Sequence, residues 1–249
     1  MSTYENRILL DTRETSPVIT TDGAGSSYAR GTRFGEQVVA PLAPDFHAME
    51  GRYFSASTIL TTSATGTAGH PAPVVFEGIK PIVHIRNNNT AGGKRITLKR
   101  LTLRYTAIGA GGTLPRWWTC LEPSGTNRYT SGGTQLTPVN RRGGQSETSN
   151  ALIYVGAVVA PVASANVRQL DGGQQRPVIP VIHDEITWRF GDEDSAGGGV
   201  VISGVLAVNL TINHGPVVLD PGDTFLLNLW RVSQSGADSV EAHIGYIER

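Results

Sequence analysis

The sequence has little of what secreted and membrane proteins need. Cys120 is the one cysteine among 249 residues, so no disulfide can form within the chain, and large disulfide-free chains are typical of reducing compartments. The first residues lack the apolar core of a signal peptide, and no apolar run approaches the roughly 20 residues of a membrane span. We therefore expect a protein made in the cytoplasm that has no membrane partner.

An excess of charge of either sign is also missing. The 21 basic residues balance 21 acidic ones, which gives a formal net charge of zero. Proteins that bind nucleic acid usually show a net basic balance or a basic stripe, because phosphate contacts supply most of their affinity. The composition therefore predicts no nucleic-acid partner. Weak repulsion between copies also suits a protein that works in an assembly.

Long helical patterns are absent as well. The chain contains 30 glycines and 14 prolines but only 2 methionines, and a glycine or proline inside a helix costs about 1–3 kcal/mol. The apolar residues make up 39% of the chain, and they alternate with polar ones, as in Ile186-Thr-Trp-Arg-Phe190. A period of two places one face of a strand on a core, so the sequence predicts an all-β fold.

The alternating segments lie between residues 51 and 249 and are separated by glycine-rich turns. We predict about ten or eleven strands with antiparallel connections, which is typical of a jelly-roll or Greek-key β-sandwich. The predicted strands cover residues 53–61, 74–85, 96–105, 117–121, 152–159, 178–183, 186–190, 200–203, 206–212, 225–230 and 240–246.

Two local patterns refine this prediction. The apolar positions change parity across Lys99-Arg100, which a regular strand cannot do without burying a charge, so we predict a β-bulge there. Asp220-Pro-Gly-Asp223 places proline and glycine where a type II turn needs them, and apolar runs flank it on both sides.

Two segments carry few apolar residues and are candidates for contacts with partners. Residues 1–50 are rich in serine, threonine and glycine with short apolar patches, and we interpret them as an extended N-terminal arm; a disordered tail is the alternative. The composition of residues 122–150 predicts a long structureless loop that reaches a neighbour or a ligand; a plain solvent-exposed loop is the alternative. The candidate contact residues in these segments are Arg7, Arg13, Arg30, Arg33, Phe34, Arg141 and Arg142.

The tryptophans are further candidates for contacts. Trp117 and Trp118 are adjacent, so on a strand they point to opposite faces, and one can lie in the core while the other contacts a partner. Trp230 lies opposite the face of Phe225, so Trp230 and its neighbour Leu226 are predicted to leave an apolar patch outside, which usually marks oligomerisation.

Motifs for catalysis and metal binding are not recognised. The six histidines show neither the H-x-H nor the H-x-x-x-H spacing of zinc and iron sites, and no Gly-x-Ser-x-Gly is present. The acidic run at residues 192–194 lacks the ligand spacing of a calcium loop and is interpreted as a solvated hairpin. We expect no metal, no cofactor and no enzymatic activity. One alternative stays open: folding can bring together two carboxylates that are distant in sequence, as glycoside hydrolysis requires.

Several segments carry a resemblance to a known class of proteins. They are Tyr-Ala-Arg-Gly at 28–31, His-Ala-Met-Glu-Gly-Arg-Tyr-Phe-Ser-Ala-Ser at 47–57, Leu-Asn-Leu-Trp-Arg at 227–231 and Ala-His-Ile-Gly-Tyr-Ile-Glu-Arg at 242–249. Together with the arm and the glycine-rich strands, the chain resembles structural proteins of tailed-bacteriophage virions, of the capsid decoration (cement) type. The resemblance implies a homotrimer on the virion, bound to the major capsid protein or other virion proteins and clamped by its arm.

Two other functions remain as alternatives. The first is the receptor- or carbohydrate-binding head of a tail fibre or a lectin-like protein, which would use the 122–150 loop with Trp117 or Trp118. A cupin-like or glycosidase-like enzyme ranks last.

Overall fold

The computed structural model describes residues 47–58, 63–64, 80–112, 114–123, 129–144, 147–158, 166–170, 174–175, 179–191, 200–203, 207–231 and 236–249. Most of the expected arm lies outside these residues; its last four, 47–50, form a short helical segment and the start of a turn. Arg7, Arg13, Arg30, Arg33 and Phe34 therefore lie outside the described residues, as does the acidic run at 192–194.

Within the described residues the chain forms sixteen strands. They are β1 (Tyr53–Ser57), β2 (Ser63–Ala64), β3 (Val83–Asn87), β4 (Ile96–Ala107), β5 (Pro115–Glu122), β6 (Thr134–Leu136), β7 (Val139–Asn140), β8 (Ala151–Val155), β9 (Arg168–Gln169), β10 (Gln174–Gln175), β11 (Glu185–Phe190), β12 (Val200–Ser203), β13 (Ala207–His214), β14 (Val217–Leu219), β15 (Thr224–Arg231) and β16 (Ser239–Glu248). The predicted all-β fold is confirmed.

The strands form two sheets. Sheet I has nine strands in the order β12-β13-β11-β4-β16-β1-β7, with β14 beside β4 and β2 beside β16. Sheet II has seven in the order β10-β5-β15-β3-β8-β6, with β9 beside β5. One pair, β11 with β13, is parallel, so the prediction of purely antiparallel connections is wrong there. A parallel pair needs a crossover between its strands, and β12 lies in that connection.

The two sheets face each other across one apolar core. Trp117 of sheet II meets Trp188 of sheet I edge to face at 6.1 Å between ring centroids, and Phe190 of sheet I meets Phe225 of sheet II at 5.6 Å. All four rings are buried, and burying one such side chain contributes about 1.5–3 kcal/mol. The alternation seen in the sequence therefore reflects one core face on each sheet.

The predicted bulge at Lys99 is confirmed. Along β4, Arg100 pairs with Gly245 of β16, but the next partner, Tyr246, pairs with Leu98, so Lys99 is the extra residue. The bulge lets Leu98 and Leu101 both reach the core although they are three residues apart. No charge has to be buried in β4.

The predicted turn at Asp220–Asp223 is also present. The backbone N–H of Asp223 donates to the carbonyl of Asp220 at 2.9 Å, and Gly222 has a φ of 95°, which a type II turn requires at its third residue. The turn connects β14 of sheet I to β15 of sheet II, so it carries the chain from one sheet to the other.

Two predictions about segments are wrong. Residues 179–183 do not form a strand: they are an irregular segment that ends in a turn. Residues 122–150 are not structureless either, because they contain β6, which pairs with β8 in sheet II, and β7, which pairs with β1 in sheet I. This segment therefore crosses from one sheet to the other and contributes to both.

Candidate functional site

The tryptophans lie where the sequence predicts but are not exposed as predicted. Trp117 faces the core, and Trp118 faces outward from sheet II, where its ring centroid is 4.6 Å from that of Trp230. These two rings form a small second cluster with Cys120 and Leu226, against which Val167 packs. Trp118 is only 8% exposed and Trp230 only 6%, so the prediction of an open apolar patch at Trp230 and Leu226 is wrong.

Asn228 lies in this cluster, across from Trp118 on β5. Its side chain is buried, and neither its amide oxygen nor its amide nitrogen has a hydrogen-bond partner among the described residues. Leaving a buried amide unpaired costs about 1–3 kcal/mol.

A second feature of the same face is a pair of stacked tyrosines, which we call the tyrosine patch: Tyr129 and Tyr154. Their ring centroids are 3.7 Å apart and their planes differ by 10°. Tyr154 stands on β8 beside His84 of β3, and both tyrosine rings contact the His84 ring edge on. Burial and the neighbouring Tyr129 raise the pKa of Tyr154. Both tyrosines are partly exposed, so the patch offers an aromatic surface to solvent.

The third feature is an exposed apolar segment just before β11, which we call the apolar tip: Ile179, Val181 and Ile182. Their exposures are 56%, 47% and 49%. The apolar pattern of residues 178–183 predicts a strand here, which residues 179–183 do not form. Pro177 and Pro180 were the signal against it, because proline within an apolar run argues for an edge or an irregular segment.

Backbone hydrogen bonds connect the end of the apolar tip to the residues that follow it and to β4. The Asp184 carboxylate accepts from the backbone N–H of Val181 at 2.8 Å, and the Asp184 N–H donates to the Val181 carbonyl at 3.1 Å. His183 has a φ of 77°, a strained value for a residue with a Cβ. Its N–H donates to the Tyr105 carbonyl at 2.8 Å, which ties the turn to β4.

The remaining predicted contact residues, Arg141 and Arg142, follow β7 at the edge of sheet I. Both are exposed. The Arg141 N–H donates to the Tyr53 carbonyl and the Arg142 N–H to the Asn140 side-chain oxygen, each at 2.9 Å. The structure therefore does not bring these arginines together with Trp118 and Trp230, which lie on the outer face of the other sheet.

A polar cluster at the end of the sandwich closes the 88–95 loop. The Asn89 side-chain amide donates to Asn87 Oδ1 at 2.8 Å and to Glu248 Oε1 at 2.9 Å. Asn150 donates to Asn89 Oδ1 at 2.9 Å. These bonds connect β3 and β16 to the residue that precedes β8, so the cluster stabilises the fold. The described residues contain no group of three or more His, Cys, Asp or Glu side chains arranged to hold a metal ion.

No protein-family model matches the chain, and no curated protein or solved structure matches it either. Among the described residues, no helix has the length and hydrophobicity to cross a membrane.

Proposed function

We propose that this chain is an oligomeric structural protein of a tailed-bacteriophage virion, of the capsid decoration type. The observation that supports it is the apolar tip. Monomeric proteins rarely keep several large aliphatic side chains exposed together, and such patches mark interfaces. Hydrogen bonds between Val181 and Asp184 already order the backbone there, which lowers the conformational entropy lost on binding.

The occupant we propose for the apolar tip is a second copy of the chain within a trimer. The net charge of zero supports this choice, since copies then repel one another only weakly. In this proposal the arm at residues 1–50, with Arg7, Arg13, Arg30, Arg33 and Phe34, contacts the major capsid protein or another virion protein. The chain is made in the cytoplasm and resides on the virion.

The strand topology is part of the same proposal. A jelly-roll or Greek-key topology is supported by how often the chain crosses between the sheets: β3, β5 and β15 are neighbours in sheet II, while β4 and β14 lie in sheet I. Strands that are neighbours in a sheet but distant in sequence are typical of such sandwiches.

The interface is tested by substituting Ile182→Asp at the apolar tip. A charge in an apolar interface leaves an uncompensated buried ion, so we expect the trimer to dissociate at concentrations where the wild type stays assembled. Sedimentation velocity measures the species. Val218→Asp is the matched control, because Val218 is also an exposed aliphatic residue, on β14. A monomeric wild type, or an Ile182→Asp trimer as stable as the control, would contradict the proposal.

The same preparation separates assembly from attachment. Deleting residues 1–45 should abolish binding to phage heads that lack this protein while leaving the trimer intact. Unchanged binding of the truncated chain would count against a decoration role.

The second candidate is a carbohydrate-binding head, and the tyrosine patch favours it. Stacked aromatic rings at a surface provide a platform for sugar rings. Tyr129 belongs to the 122–150 segment, which the sequence predicts as the carbohydrate-binding loop. Trp117 and Trp118 are buried and no longer fit this role. On a glycan array, Tyr129→Ala should lose any signal that Tyr129→Phe keeps, since phenylalanine preserves the ring. A signal unaffected by Tyr129→Ala excludes this candidate.

A further inference from the structure

The outer face of sheet I carries charged side chains in rows that run across the strands. In one row Arg104 of β4 lies between Glu185 of β11 and Glu241 of β16. The Arg104 guanidinium is 3.8 Å from the Glu241 carboxylate. Opposite charges on directly paired strand residues stabilise a sheet, so this row is compensated within the protein.

The row four residues away along β4 is built differently. Arg100 is paired with Arg189 of β11 on one side and with Gly245 of β16 on the other. Both arginines are exposed, and directly paired residues on one face have Cβ atoms about 4.5–5.5 Å apart, where like charges are destabilising. Arg100 donates to the Thr102 hydroxyl at 3.0 Å. Neither guanidinium contacts a carboxylate among the described residues.

Beyond Gly245 the paired positions are Ser55 of β1 and Val139 of β7. Arg141 follows two residues after Val139, where its backbone N–H donates to the Tyr53 carbonyl. The Tyr53 hydroxyl lies over Gly245, where a side-chain Cβ would be only 2.6 Å from it, so glycine is what allows the tyrosine to lie there. Burial raises the pKa of Tyr53, while the charges of Arg141 and Arg100 act in the opposite direction. Arg141 is exposed, and it has no carboxylate partner in the described part of the chain.

We propose that Arg189, Arg100 and Arg141, which we call the arginine row, bind an extended acidic segment of a partner protein. Guanidinium groups bind carboxylates through two parallel hydrogen bonds, and the partner's carboxylates would remove the repulsion between Arg100 and Arg189. The row runs from β11 past β7, four strand spacings or about 19 Å. That length corresponds to about six extended residues.

An acidic peptide fits this surface better than nucleic acid. Nucleic-acid affinity grows with the number of phosphates neutralised, and the row offers only three cations on a chain of zero net charge. The inference is independent of the proposed virion role, because it depends only on the charges of sheet I.

The test measures binding of fluorescein-labelled hexaglutamate by fluorescence anisotropy. Arg100→Gln and Arg189→Gln should each weaken binding about fivefold, the upper range for one exposed ion pair. Arg95→Gln is the matched control: it removes the same charge from an exposed arginine that already pairs with Asp220. It should change the dissociation constant little.

Arg189→Glu separates binding from folding. Because glutamate opposite Arg100 replaces a repulsive pair with an attractive one, the melting temperature should stay the same or rise while hexaglutamate binding is lost. The inference is overturned if the wild type does not bind the peptide, if Arg189→Glu still binds it, or if hexathymidylate binds more tightly than hexaglutamate at physiological salt. The last result would reassign the row to nucleic acid.

Discussion

Arg231 and Asp238 form an ion pair that is almost wholly removed from solvent. The guanidinium donates to Asp238 Oδ1 at 3.0 Å and to the Gly111 carbonyl at 2.6 Å. The same carboxylate oxygen accepts from the Gly109 N–H at 2.7 Å. A buried ion pair requires such additional hydrogen bonds to offset desolvation. This pair therefore fixes the loop after β4 against the end of β15 and the start of β16.

Asp238→Asn tests this assignment, because it keeps the shape of the side chain and removes the charge. It leaves Arg231 buried without its counter-ion, so we expect the free energy of unfolding to fall by about 3–5 kcal/mol. Urea denaturation followed by circular dichroism measures it. Glu241→Gln is the control, since it breaks a more exposed pair with Arg104 that contributes about 0–1 kcal/mol. Equal losses in the two variants would contradict the assignment.

At the scale of elements, the segment 122–150 shows where composition misleads. It has hardly any apolar residues, yet β6 and β7 each add a short strand to a different sheet. Leu136 at the end of β6 is buried in the main core, whereas Val139, three residues later, is exposed. Two or three paired residues suffice for such strands, and a pattern of that length is too short to recognise in a sequence.

Leu136→Ala tests whether β6 belongs to the core. Truncating a buried leucine removes apolar contacts and leaves a cavity, so we expect a loss of about 2–5 kcal/mol in the free energy of unfolding. Val139→Ala should cost less than about 0.5 kcal/mol, as is usual for a surface substitution. Thermal or urea unfolding compares the two variants. If Leu136→Ala unfolds like the control, β6 does not pack as described.

At the scale of the whole molecule, three surfaces have separate chemistries. The apolar tip lies before β11, the tyrosine patch on the outer face of sheet II, and the arginine row on the outer face of sheet I. The expected dissociation of Ile182→Asp and the expected loss of peptide binding in Arg189→Glu therefore address different surfaces. Because the altered residues belong to different clusters, the double variant should show both effects, each about as large as in the single variant.

The sequence by itself determined the all-β class, the bulge at Lys99 and the turn at Asp220–Asp223. These features depend on side-chain alternation and local backbone preferences, which neighbouring residues set. It also placed Trp117 and Trp118 on opposite faces. Only the tertiary structure decided that Trp118 is covered, that β11 runs parallel to β13, and that Arg100 lies opposite Arg189. Each of these depends on segments distant in sequence, and alternation alone specifies no partner strand.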